Sequence, residues 1–82
     1  MAEGRKIKLG LTEYPNTDKV YIIRILERDD GWIVLAKYGK RGRAHNTSIK
    51  PTTGSTTFIE ANHIFDRLLE QKLKKGYTEE SW

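Results

Sequence analysis

The residues best equipped for chemistry lie together in the run Ala36-Lys37-Tyr38-Gly39-Lys40-Arg41-Gly42-Arg43. An aromatic ring, two glycines and four cations follow directly on the apolar run Trp32 to Leu35. Glycine lets a ligand approach the backbone closely, lysine and arginine attract phosphate, and an aromatic ring offers a stacking face. Nucleic acid is therefore the first partner this run suggests. A solvated hairpin turn uses the same residue types, so the run alone does not decide between them. The charge around it adds weight. No carboxylate occurs between Asp30 and Glu60, an interval that holds Lys37, Lys40, Arg41, Arg43 and Lys50, five cations against a whole-chain net charge of +4. If the elements that carry them are neighbours, they form one positive surface beside Tyr38 that can neutralise phosphates.

Other chemistries find little to build on. The chain has no cysteine, which excludes disulfides and thiolate zinc sites. His45 and His63 are far apart and in no metal-ligand spacing, and Thr47 and Ser48 lack the context of a nucleophile. The acids cluster at Asp29-Asp30, Glu79-Glu80 and along the outer side of a helix, where solvation accounts for them. Gly39-Lys40-Arg41-Gly42 matches neither a Walker loop nor a dinucleotide fingerprint, and it opens no helix. The sequence predicts no enzyme, no cofactor, no metal and no small-molecule substrate.

The elements that position the run can be read from periodicity. At 82 residues the chain is one small domain, which buries about 60% of the surface it exposes when unfolded. Met1 to Gly4 read as a disordered start, residues 5–78 as the domain and 79–82 as a tail. Ile7, Leu9 and Leu11 alternate with polar residues, giving an edge-like first strand. Pro15-Asn16-Thr17-Asp18 supplies a turn. Lys19 to Arg28 is rich in β-branched and aromatic residues and apolar on both sides, so it belongs at the centre of a sheet. Asp29-Asp30-Gly31 marks a hairpin. Trp32 to Tyr38 follows, with Trp32, Val34, Ala36 and Tyr38 on one side and Ile33, Leu35 and Lys37 on the other. A fourth strand covers His45 to Lys50. A helix from about Thr56 to Lys75 is capped by Ser55, carries Phe58, Ala61, Phe65, Leu68 and Leu69 on its apolar stripe, and ends at Gly76. Lys72 falls inside that apolar arc, where the stem of a lysine packs and its ammonium reaches water, or else meets a carboxylate or phosphate. The fold class is α+β: an antiparallel sheet of about four strands with one C-terminal amphipathic helix packed on one face. With no signal-peptide pattern and no apolar run long enough to span a bilayer, the expectation is a soluble cytoplasmic protein, nucleoid-associated if it binds DNA.

The ordered series Lys19-Val20-Tyr21-Ile22-Ile23-Arg24-Ile25-Leu26-Glu27, Gly31-Trp32, Tyr38-Gly39-Lys40-Arg41-Gly42, Thr47-Ser48-Ile49-Lys50-Pro51 and Lys75-Gly76-Tyr77 resembles a WGR domain. The likeness runs from about Lys6 to Tyr77. It implies an antiparallel sheet flanked by one helix. WGR domains occur in poly(ADP-ribose) polymerases, where they bind DNA at breaks, and almost alone in some bacterial proteins. The family's Trp-Gly-Arg reads Tyr38-Gly39-Lys40 here, and Arg41 stands where an apolar residue is usual. Tyrosine still stacks, with less area. Lysine keeps the charge and loses the planar fork of arginine, so affinity for phosphate carries over better than recognition of a particular end.

Together these readings predict a non-enzymatic DNA-binding module that contacts the phosphate backbone or DNA ends without reading sequence. Lys40, Arg41, Arg43 and Lys50 would meet phosphates, Tyr38 would stack, and Gly39 and Gly42 would shape the turn. Lys37 alternates away from Tyr38 and stands apart. The alternative is a protein-interaction module that offers the same surface to an acidic partner. A third reading places RNA or a single strand on the sheet through Tyr21, Trp32 and Tyr38.

Overall fold

The most apolar segment becomes the middle of the sheet. The computed structural model describes residues 3–13 and 17–81. Its elements are β1 (Glu3–Glu13), β2 (Thr17–Arg28), β3 (Gly31–Lys40), β4 (Arg43–Lys50), α1 (Phe58–Lys74) and β5 (Thr78–Glu80). The strands hydrogen-bond in the order β4-β3-β2-β1-β5, every neighbouring pair antiparallel, which puts β2 at the centre. The architecture is thus α+β with one helix on an antiparallel sheet. The sheet has five strands where sequence periodicity gives about four.

The hairpin between β2 and β3 is closed by Asp29 and Asp30, both at positive φ (49° and 62°). That twist suits a two-residue hairpin loop, and short acidic side chains tolerate the left-handed region better than branched ones. Half of the predicted turn at residues 15–18 lies outside the described residues, and Thr17 and Asp18 already belong to β2.

Pairing register sorts the side chains by face. Leu9, Tyr21 and Tyr38 stand opposite one another across β1, β2 and β3, as do Ile7, Ile23 and Ala36, and Ile25 pairs with Val34. These residues face α1, whose Ala61 and Phe65 are almost completely buried against them. Each fully buried aliphatic or phenyl side chain contributes about 1.5–3 kcal/mol relative to exposure, so this one layer holds the domain together. The guanidinium of Arg5 lies 4.3 Å from the centre of the Phe65 ring and bonds Asp66 at 2.6 Å, tying β1 to the helix.

Several boundaries differ from the sequence reading, among them the start of β4, at Arg43 rather than His45. The strand expected to start at Arg5 starts at Glu3, so Glu3 and Gly4 belong to β1 rather than to a disordered start. The helix cap is Thr57, whose hydroxyl accepts from the Glu60 N–H at 3.1 Å. Ser55 cannot serve, because Thr56 pairs with Trp32 through two backbone bonds of 2.8 Å and holds the chain extended beyond it. Finally, Glu79 and Glu80, expected in a tail, form β5 with Thr78 and pair with Lys8 to Gly10. β1 is therefore flanked on both sides along that stretch.

Candidate nucleic-acid interface

The third strand delivers Tyr38, Gly39 and Lys40 to the end of the sheet where α1 stops. Three other elements converge there. β2 brings Lys19 and Tyr21, directly opposite Lys40 and Tyr38. The helix brings Lys72 from its last turn. After Lys75 the helix ends with Gly76 at φ 103°, while the Gly76 N–H donates to the Leu73 carbonyl and the Tyr77 N–H to that of Lys72, both at 3.1 Å. This closing motif reverses the chain and turns Tyr77 back towards the sheet.

The result is a hollow of about 500 Å³ lined by Lys19, Tyr21, Tyr38, Gly39, Lys40, Asn46, Lys72 and Tyr77. Tyr21 and Tyr38 stack with ring centres 5.2 Å apart and planes 17° from parallel, and Tyr77 meets Tyr21 edge-on at 6.1 Å. The Lys72 ammonium lies 4.5 Å from the centre of the Tyr21 ring. Burial pushes the Tyr21 hydroxyl above its ordinary pKa, with the neighbouring Tyr38 and Tyr77 adding to the effect. Burial also pulls Lys72 below the ordinary lysine range, and the nearby Lys75 lowers it further. Among the described residues no carboxylate lines the hollow. Like charges placed directly opposite, as Lys19 and Lys40 are, repel each other. An anion seated between the three lysines would relieve that repulsion and draw the Lys72 pKa back up.

Arg41, one residue further on, goes the other way. The turn after Lys40 has Gly42 at φ +80°, a conformation glycine takes without steric cost. The Arg41 N–H donates to the Asp18 carbonyl at 3.0 Å and its Nε to the Asp18 carboxylate at 2.9 Å. Its two terminal nitrogens donate to the two Glu80 oxygens at 3.0 and 2.7 Å, a fork-to-fork pair. Gly10 lies beneath this strap. A Cβ added there would overlap the Glu80 carboxylate and come within 3.0 Å of the guanidinium. The pair holds Arg41 more firmly protonated than usual and Glu80 below the ordinary carboxylate range.

The predicted site residues therefore separate. Tyr38, Gly39 and Lys40 are brought together in the hollow. Arg43 is exposed and stands opposite Lys40 across the turn, beside the hollow but not lining it. Gly42 forms the turn itself. Lys50 pairs with Val34, four residues back along β3 from Tyr38, which is about 13 Å at the rise of a strand. Arg41 belongs to the opposite side of the sheet with two carboxylates. The sheet-platform reading fails on register: Tyr21, Trp32 and Tyr38 all lie on the face that α1 covers, and Trp32 packs edge-on against Phe58. Lys19, Lys72 and Tyr77 join the site although the sequence reading left them out.

A family model of the WGR domain matches residues 6–81. The chain belongs to the WGR domain family. WGR domains are in general nucleic-acid-binding modules. Comparison with curated proteins and with solved structures gives no match. In this WGR domain the Tyr38-Gly39-Lys40 run occupies the wall of the hollow, and Lys72 of the helix and Tyr77 beyond it help to complete it. Among the described residues no group of three or more metal-ligating side chains comes together, and no helix is long and apolar enough to cross a membrane.

Proposed function

We propose that this WGR domain is a non-enzymatic DNA-binding module, and that it seats a phosphate and an adjoining sugar or base of a DNA strand in the hollow at the end of α1. One observation carries the reading: Lys19, Lys40 and Lys72 converge on stacked tyrosines with no carboxylate among them. Lysines supply charge to phosphate without the fixed fork of arginine, and tyrosine offers a face to sugar or base of any sequence. The exposed side of α1 carries Glu60, Asp66 and Glu70 among its polar residues, which suits it poorly to a major groove, so binding without sequence preference follows. A ligand-sized hollow suits a strand end better than an uninterrupted backbone track.

The test is a fluorescence titration at low salt with a 5′-phosphorylated duplex, an unphosphorylated blunt duplex and a closed hairpin. The wild-type domain should prefer open ends to the hairpin. A variant with Lys19→Glu, Lys40→Glu and Lys72→Glu should lose about 100-fold or more in affinity for the duplexes, as expected when three phosphate contacts become repulsive. If wild type and variant bind all three equally weakly, the proposal is wrong.

A further inference from the structure

The side of the sheet away from α1 has an organisation of its own. Across the strands Lys8, Ile22, Lys37 and Thr47 stand in one row, and Leu35 pairs with Ile49 in the next. Ile22, Leu35 and Ile49 are only half-buried and take no part in the core packed under the helix. A hollow of about 430 Å³ lies there, lined by Ile22, Arg24, Leu35, Lys37 and Thr47. The solvated face of an antiparallel sheet ordinarily alternates to polar residues; branched aliphatics clustered on it mark a place of contact.

We propose that this open face docks an amphipathic helix of a partner protein, with aliphatic side chains along its stripe and carboxylates along its flanks. The charge pattern selects the partner. Lys37 stands beside Ile22 with no carboxylate opposite it in the register, while Lys8 on the other side of Ile22 also faces Glu80, whose carboxylate is bonded to Arg41. The aliphatic strip would take the stripe of a helix, and the lysines beside it would meet its acids. Such a helix would do to this face what α1 does to the other, completing a third layer.

Three other occupants fit less well. Among the described residues no aromatic ring lies on this face, so nucleic acid has nothing to stack on, in contrast to the tyrosine hollow. A second copy docking the same patch around a two-fold axis would bring lysine against lysine. The aliphatics are half-buried and recessed beside exposed Lys37, which keeps them from inserting into a bilayer. The inference stands independently of the DNA-binding proposal, because the two surfaces lie on opposite sides of the sheet.

The experiment uses the full chain, isotope-labelled for amide NMR, and a synthetic peptide of about 14 residues, about 21 Å when helical. The peptide carries leucines at helical spacing with glutamates beside them. Two controls have the same leucines flanked by lysines, or the same composition scrambled. The acidic amphipathic peptide should shift the amides of Ile22, Leu35 and Ile49 and bind about tenfold tighter than either control, a difference of about 1.4 kcal/mol. Leu35→Thr and Lys37→Glu should each weaken it about fivefold, within the range of single interface truncations. Leu35→Thr should leave duplex binding unchanged. Lys37 is exposed, so its variant keeps the fold and the test does not depend on the Leu35 variant alone. Equal binding of all three peptides overturns the proposal, as do shifts confined to Tyr38 and Tyr77. Self-association that protects the open face, or binding to anionic vesicles with none to the acidic peptide, overturns it equally.

Discussion

Lys40 and Arg41 are adjacent in the chain, yet they belong to two regions that treat positive charge in opposite ways. On the helix side, Lys40 faces Lys19 and Lys72 around three tyrosines, with no acid among the described residues of the lining. On the open side, Arg41 is held between Asp18 and Glu80. The first arrangement leaves charge for a ligand to complete. The second uses charge to bind the turn after β3 to β2 and to the edge strand β5. Proximity in sequence to a basic, glycine-rich run is therefore a poor guide to which cation meets a phosphate. Whether a cation already has its partner is a better one.

The comparison rests on a sheet whose one face is the core, and the largest effect should come from opening that core. Phe65→Ala should cost about 3–5 kcal/mol in urea unfolding, since a buried phenyl is lost and the site can only partly collapse. A loss below 1 kcal/mol would mean that α1 contributes far less to the domain than its burial implies. Next comes the contrast between the two neighbours. Lys40→Ala should flatten the slope of log K against log salt for duplex binding by about one unit, whereas Arg41→Ala should leave the slope as it is. Equal changes in both variants would mean that Lys40 and Arg41 meet phosphate alike.

The smallest effect concerns the strap alone. Arg41 lowers the Glu80 pKa in the folded chain, so the stabilisation is present above the unfolded carboxylate value and is lost as pH falls through the lowered folded one. Acidification through that window should speed hydrogen exchange at the β5 amides while those of β2 stay protected. Gly10→Ala, which displaces the Glu80 carboxylate, should give the same faster exchange already at neutral pH. If the β5 amides of wild type and Gly10→Ala exchange alike across the range, the strap does not hold the edge strand.

Much of the fold is written in local pattern. The two-sided apolar run from Val20 to Leu26 and the alternation from Trp32 to Tyr38 are strand signals that tertiary packing only confirms. The helix is equally plain from its stripe, and its true cap was visible too: Thr57 and Glu60 have the spacing of a capping box. β5 was not legible, because Thr78-Glu79-Glu80 has no apolar residue and its place depends on the helix-ending turn and on Arg41. The site divides along the same line. Tyr38, Gly39 and Lys40 are adjacent in sequence, so their grouping around one hollow was legible. Lys19 and Tyr77 reach the hollow only through register and through the chain reversal at Gly76. Lys72 did leave a trace, as a charge inside an apolar arc. Arg41 leaves the turn away from Lys40, towards Asp18 and Glu80, and nothing local tells which way a side chain leaves a tight turn.

The chain reversal at Gly76 has one more consequence, and it is a matter of counting. Tyr77 lies in the hollow on the helix side, and Glu80 meets Arg41 on the other side. Successive strand residues point to opposite faces, so an odd separation is the only kind that lets both contacts exist at once, and here it is three. Adding or removing a single residue between them would flip one of the two. A hollow complete with Tyr77 and an edge strand clasped by Arg41 would then be alternatives. The length of that short link is thus under a constraint that its composition does not reveal.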